Sequence, residues 1–316
     1  MKPCMHEPRL HISASFELPV RREVQPPARF PAIAGLIVAA LVVISSLAGI
    51  GDPATYGRET ASWRAQGIGQ DWVDLIVAVP WLIGSAIASL RGSHRGSLLL
   101  GSGLAYTAYS FVIYAFDVHF NQMFLVYCAI LGLSIYGLIA LAMTLAGKHL
   151  RVGVASPALR RVASVVLLAT ATLFALMWLG DDVPAVLRDE PPADLRDVGL
   201  FTNAVHVLDL ALVLPALFAS GILFWRRRNA GHMLATIAIG FCVLMNLNIA
   251  GIVVALQRSG LAPDLTMAWT FGGVAVVMAV VLGWLLHSSR TRPLQVNHSQ
   301  TFSWTRSDSP RAHGLQ

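Results

Sequence analysis

The chain has 316 residues, is 55% hydrophobic and only 13% charged, and carries a formal net charge of +6. A soluble domain carries about 25% charged residues, so a deficit gathered into long apolar runs excludes an ordinary soluble enzyme and indicates an all-α polytopic membrane protein. The positive balance does not indicate nucleic acid as a partner, because the basic residues lie in short loops between apolar spans.

Eight stretches approach the roughly 20 apolar residues that cross ~30 Å of hydrocarbon: 31–50, 72–90, 97–116, 122–146, 163–180, 203–225, 231–256 and 265–287. Residues 1–30 form an N-terminal tail, too long for the n-region of a signal peptide. In the 51–71 loop a short interfacial helix through Trp63 leads to a Gly-rich stretch, Gln66 to Gln70, that reads as a flexible entry to the second span. The third span ends in Tyr106, Tyr109, Ser110 and Tyr114, and its turn adds Asp117, His119, Asn121 and Gln122. A linker, 147–162, precedes the fifth span. The 181–202 loop is acid-rich, with Asp181, Asp182, Asp189, Glu190, Asp194 and Asp197, and reads as a solvated loop or as a funnel for cations. Asn246 and Asn248 lie in the outer half of the seventh span. In the last span Ala275, Ala279 and Gly283 recur at i+4, as at a seam between halves or on a face that meets a second copy in a homodimer. Residues 288–316 lack apolar periodicity and read as a disordered tail.

The basic residues alternate by side. Of 23 Lys and Arg, 18 fall in the tails and even-numbered loops and 5 in the other loops. By the positive-inside rule both termini are cytoplasmic, in a plasma membrane. The 21 Arg against 2 Lys read as high-GC coding, hence a bacterial inner membrane. Cys4, Cys128 and Cys242 form no CxxC pair, so neither a disulfide framework nor a zinc site is expected.

An Asp-Leu-x4-Pro motif occurs twice, at Asp74 to Pro80 and Asp209 to Pro215, 135 residues apart. Carried on without a gap, the offset gives eight identities in 23 positions up to Gly96 and Gly231. This reads as a parallel 4+4 repeat, 31–146 and 163–287, with a pseudo-twofold axis along the membrane normal.

Asp74 and Asp209 each lie 17 residues before an Arg at the inner boundary, which at 1.5 Å per residue puts both about one turn below the outer surface. An acid at that depth faces a wet cavity or a partner. Asp71 and His206 precede them by three residues, on the same helix face, and Asn203 extends the second face outward. Pro80 and Pro215 read as helix kinks that free the carbonyls of Ile76 and Ala211. Asp71, Asp74, Tyr106, Tyr109, Asn203, His206, Asp209 and Asn246 are thus expected to line one pocket open to the outside. No metal is expected, since no HExxH or similar motif occurs; Asp74, His206 and Asp209 are the weak candidates. No residue pattern names a cofactor.

Gln70-Asp71-Trp72 and the run Asn203 to Leu210 resemble segments of multi-pass bacterial membrane proteins without an assigned activity. The resemblance implies an integral membrane protein and no more. The expected function is binding or transport of a small polar or cationic solute. A membrane-embedded enzyme with its site at the outer face, and an accessory or sensor subunit, remain open.

Overall fold

The computed structural model describes residues 29–146, 156–228 and 230–288, and no strand occurs among the described residues. Among the described residues nine helices follow in order: α1 (Arg29–Gly51), α2 (Ala61–Leu90), α3 (His94–Phe116), α4 (Phe124–Ala146), α5 (Pro157–Arg188), α6 (Ala193–Val198), α7 (Ala204–Trp225), α8 (Gly231–Arg258) and α9 (Thr266–Ser288). All except α6 are long and apolar enough to cross a membrane. The chain is therefore all-α and multi-pass. Most of the expected N-terminal tail, residues 147–155 of the linker and the tail beyond Ser288 lie outside the described residues. Large apolar side chains such as Ile44, Leu125, Leu173 and Trp269 are exposed. That is the reverse of a soluble surface and suits solvation by acyl chains.

The two most buried helices, α3 and α8, cross at the centre. Small residues let them approach. The Ser102 hydroxyl donates to the Ile237 carbonyl at 3.1 Å, and a Cβ on Gly240 would come within 2.3 Å of Ser102 Oγ. On one side α1, α2 and α4 close against α3; on the other, α5, α7 and α9 gather around α8. The sides differ in closure. α1 packs along α4, whereas α5 touches α9 only briefly.

Each Asp-Leu-x4-Pro motif takes the same local form. A π turn runs over Asp74–Ala78 in α2 and over Asp209–Val213 in α7, each opening at the acid. The amides of Val79 and Leu214 donate five residues back, to the carbonyls of Asp74 and Asp209. The wider turn resets the register, so Pro80 and Pro215 fall in the first turn of a fresh 12-residue α segment. There a missing N–H leaves no bond unmade, which is how a mid-membrane proline is tolerated. The two segments also end alike: Arg91 and Arg226 have φ/ψ of −78/8 and −77/7. A Cβ on Gly96 or Gly231 would meet backbone at 2.8 and 2.6 Å, in both cases across the turn, at residues 88–89 and 223–224.

Three local expectations change. Gln66 to Gln70 is not a flexible entry but part of α2, which starts at Thr60, whose hydroxyl accepts from the Trp63 amide at 3.2 Å. Its glycines serve close packing: Gly69 lies against Gly251 and Ile252 of α8, where a Cβ would meet Ile252 Cα at 2.8 Å. The 181–202 segment is largely helical, because α5 continues through Pro184 to Arg188 and α6 follows. The small-residue stripe of α9 is not a seam between halves: Ala275 is buried, but Ala279 and Gly283 are exposed.

Candidate functional site

Asp71 and Asp74, one turn apart on α2, are fully buried at 0% and 1% exposure. Asp71 accepts from two phenols, Tyr56 at 2.7 Å and Tyr114 at 2.9 Å. Asp74 accepts from Tyr106 at 2.7 Å through Oδ1, and its Oδ2 has no hydrogen-bond partner. The Tyr114 ring is held by Phe111, stacked at 4.9 Å, and by Tyr127 at 5.2 Å. Gly49 of α1 completes the seal, because a Cβ there would fall within 1.9 Å of Asp71 Oδ2. Tyr56 lies in the loop before α2. Burial, and then the neighbouring Asp71, push its hydroxyl well above the ordinary phenol range, so it remains a donor.

Asp209 sits differently. Its Oδ2 accepts from the Trp178 indole of α5 at 2.8 Å, and the Tyr109 hydroxyl of α3 approaches it. His206, one turn earlier, is held on three sides. Its amide donates to Asn203 Oδ1 at 3.0 Å, its Nδ1 meets Asp182 Oδ1 at 2.9 Å, and its ring lies 4.1 Å from the Trp178 ring. Asp117, at the end of α3, accepts from the Ala204 amide at 3.3 Å and so ties α3 to the start of α7. Burial pushes the Asp117 carboxyl above its ordinary range, and the Ala204 bond offsets that in part.

A cavity of about 690 Å³ opens beside Asp209, between α3, α5, α7 and α8, at the acid-rich end of the bundle. Its wall is mainly apolar and aromatic, with Trp63, Phe174, Phe241 and Phe271 among the rings. Among the described residues four carboxylates reach it, Asp117, Asp181, Asp197 and Asp209, and neither Lys nor Arg lines it. Met177 of α5 and Phe271 of α9, two helices that touch only briefly, both line it.

The site residues read from the sequence therefore divide. Tyr109, Asn203, His206, Asp209 and Asn246 line the cavity. Asp71, Asp74 and Tyr106 do not; the phenols of Tyr56 and Tyr114, which do line it, hold Asp71 from the cavity side. No family model matches this chain, and no curated protein or solved structure does either. Among the described residues no three His, Cys, Asp or Glu side chains converge as a metal-binding group. Asn246 donates to the Cys242 carbonyl at 2.7 Å, within its own helix. The polar turn after α3 serves the loops instead: His119 pairs with Glu59 at 3.1 Å, and Gln122 donates to Asp52 and Thr55.

Three residues at the site, Trp178, Gln70 and Asn248, were not among the expected site residues. Trp178 looks like one more aromatic at a span end, and only the fold shows that it holds Asp209. Gln70 and Asn248, which pair at 3.4 Å across α2 and α8 on the cavity wall, are 178 residues apart. The only local signal was an amide inside an apolar stretch.

Proposed function

We propose that this protein binds, and carries across the membrane, a small organic cation in the cavity beside Asp209. One observation carries the reading: among the described residues, four carboxylates and no Lys or Arg line a largely apolar, aromatic cavity of about 690 Å³. Such a wall favours positive charge on an apolar body, through carboxylate attraction and ring faces together. Asp209 is the counter-charge, Trp178 holds it in place, and His206 with Asp182 shapes the entrance.

The cavity faces outward in this reading. The 18-to-5 split of basic residues puts the opposite end, and both termini, on the cytoplasmic side of a bacterial inner membrane. We further read the chain as a 4+4 parallel repeat. The paired π turns support it, as does the Ser102–Ile237 hydrogen bond, which joins positions 135 residues apart where a pseudo-twofold axis would pass.

The test uses purified protein in detergent and three probes, phenyltrimethylammonium, tetraphenylphosphonium and ethidium, with tert-butylbenzene as the neutral isostere of the first. At least one cation should raise Tm, the neutral isostere should not, and Asp209→Asn should weaken binding by roughly ten- to hundred-fold, a loss of about 1.5–3 kcal/mol. No stabilisation by any of the cations, or equal stabilisation by the isostere, contradicts the reading.

A further inference from the structure

Asp74 is not part of the cavity, yet it is connected to it. Ser110 lines the cavity, is 1% exposed, and has a hydroxyl with no hydrogen-bond partner. Ser110 is within electrostatic reach of the Tyr106 hydroxyl, which in turn donates to Asp74 Oδ1 at 2.7 Å. Three oxygens thus lead from the cavity wall to a carboxylate that is otherwise sealed.

The surroundings of Asp74 contain acids and phenols but no base. Its own helix brings Asp71; α3 brings Tyr106 and Tyr114; the loop before α2 brings Tyr56. From α4, Tyr127 stands behind Tyr114. From α1 come the hydroxyl of Ser46, beside Asp71, and the backbone of Gly49; α8 offers the amide of Asn248, which bonds Gln70. Arg64, nearer the loop on α2, directs its guanidinium to the carbonyls of Tyr56 and Glu59. No Lys, Arg or His among the described residues pairs with Asp71 or Asp74.

Two carboxylates one turn apart in an apolar interior, with no cation between them, do not both carry charge. The hydrogen bonds say which one does. Asp71 takes two phenol donors, a set suited to the ionised form, whereas Asp74 takes one and leaves Oδ2 bare. A bare carboxylate oxygen in that setting is an uncompensated charge, while a bare carboxyl hydroxyl lacks only one hydrogen bond, the smaller cost.

We propose that Asp74 is a proton-carrying site, loaded from the cavity through Ser110 and Tyr106, with Asp71 as its ionised neighbour. In loading, the Ser110 hydroxyl, shielded in this structure, turns to the cavity, takes a proton from a hydronium there and turns back. The Ser110 hydrogen passes to Tyr106 Oη, and the Tyr106 hydrogen passes to Asp74. Each hydroxyl gains one hydrogen as it loses one, so one proton leaves the cavity and one arrives at the carboxylate; unloading runs in reverse. The site stands apart from the choice of solute, and its test uses none.

The experiment is infrared difference spectroscopy of the purified full chain, with and without aspartate carrying carbon-13 at the side-chain carboxyl, during exchange from H2O to D2O at neutral pH. The expected result is the carbonyl stretch of a protonated aspartic acid, lowered by the isotope, shifted by D2O, and lost in Asp74→Asn. Ser110→Ala should keep the band and slow its exchange. If Asp74→Asn does not fold, Asp74→Glu serves: the band should persist and lose its sensitivity to labelled aspartate. Absence of a protonated-aspartate band in the wild type, or a band unchanged in these Asp74 variants, overturns the site. An unchanged exchange rate in Ser110→Ala overturns the route.

Discussion

The acids on α2 and α7 begin from one local design and end in opposite settings. Both open a π turn that a proline closes, yet Asp74 is sealed behind phenols while Asp209 faces a cavity. In the proposed repeat, the positions 135 residues on from Tyr106, Tyr114 and Asp71 carry different side chains. Phe241 stands where Tyr106 would be, Ile249 where Tyr114 would be, and His206 in place of Asp71. Two hydroxyl donors become apolar groups, and all three replacements line the cavity. In that reading a few side chains, on the neighbouring helix and one turn away on the acid-bearing helix itself, decide whether a membrane acid is sealed or open.

The largest expected effect falls on the sealed side. A Cβ on Gly49 would come within 1.9 Å of Asp71 Oδ2, while one on Gly180 of α5 meets nothing within 4 Å. Gly49→Ala should therefore drive Asp71 away from Tyr56 and lower stability by about 2–4 kcal/mol, through overpacking and a buried acceptor left unpaired. Gly180→Ala should stay within about 0.5 kcal/mol. Tm of the two variants in detergent checks this, and equal values would break the comparison.

A smaller effect sharpens it. Phe241→Tyr returns to the open side the phenol that its counterpart has. Phe241 lies 5.8 Å, edge to face, from Tyr109, whose hydroxyl approaches Asp209. The added hydroxyl should compete for the carboxylate and weaken cation binding by about 1 kcal/mol, roughly five-fold in Kd. Titration with phenyltrimethylammonium measures it, and tighter binding would argue that Phe241 does not keep the site open.

The smallest effect concerns the joint between the sides. The Asp117 carboxyl lies above its ordinary range because it is buried. The folded state then binds more protons than the unfolded state in the window that starts near the ordinary pKa of about 3.9, so stability falls as pH rises through it. Asp117→Asn cannot titrate, and its Tm should fall less over that window than the wild type's. A parallel fall would show that Asp117 ionises freely.

Much of the fold was legible because its physics is local. Apolar runs long enough to cross hydrocarbon gave all eight long helices, and the Asp-Leu-x4-Pro pattern marked both π turns. The helical extension to Arg188 was not legible, because a run with Asp181, Asp182 and Pro184 reads as loop. The glycines Gly67 and Gly69 looked flexible because their packing partners, Tyr56 and Gly251, lie outside α2. The candidate site was half legible. Depth along a span identified Asp74 and Asp209, but sealing depends on Tyr56 in a loop and on Tyr106 and Tyr114 across a helix pair, which helical periodicity does not reveal.

The central claim, one acid open and one sealed, is tested most directly by cysteine accessibility. In a background with Cys4, Cys128 and Cys242 replaced by serine or alanine, single variants Asp209→Cys and Asp74→Cys are treated in intact cells with a charged, membrane-impermeant thiol reagent. The expected result is prompt labelling at position 209 and none at position 74. Equal labelling of both, or labelling at 74 without 209, would contradict the account.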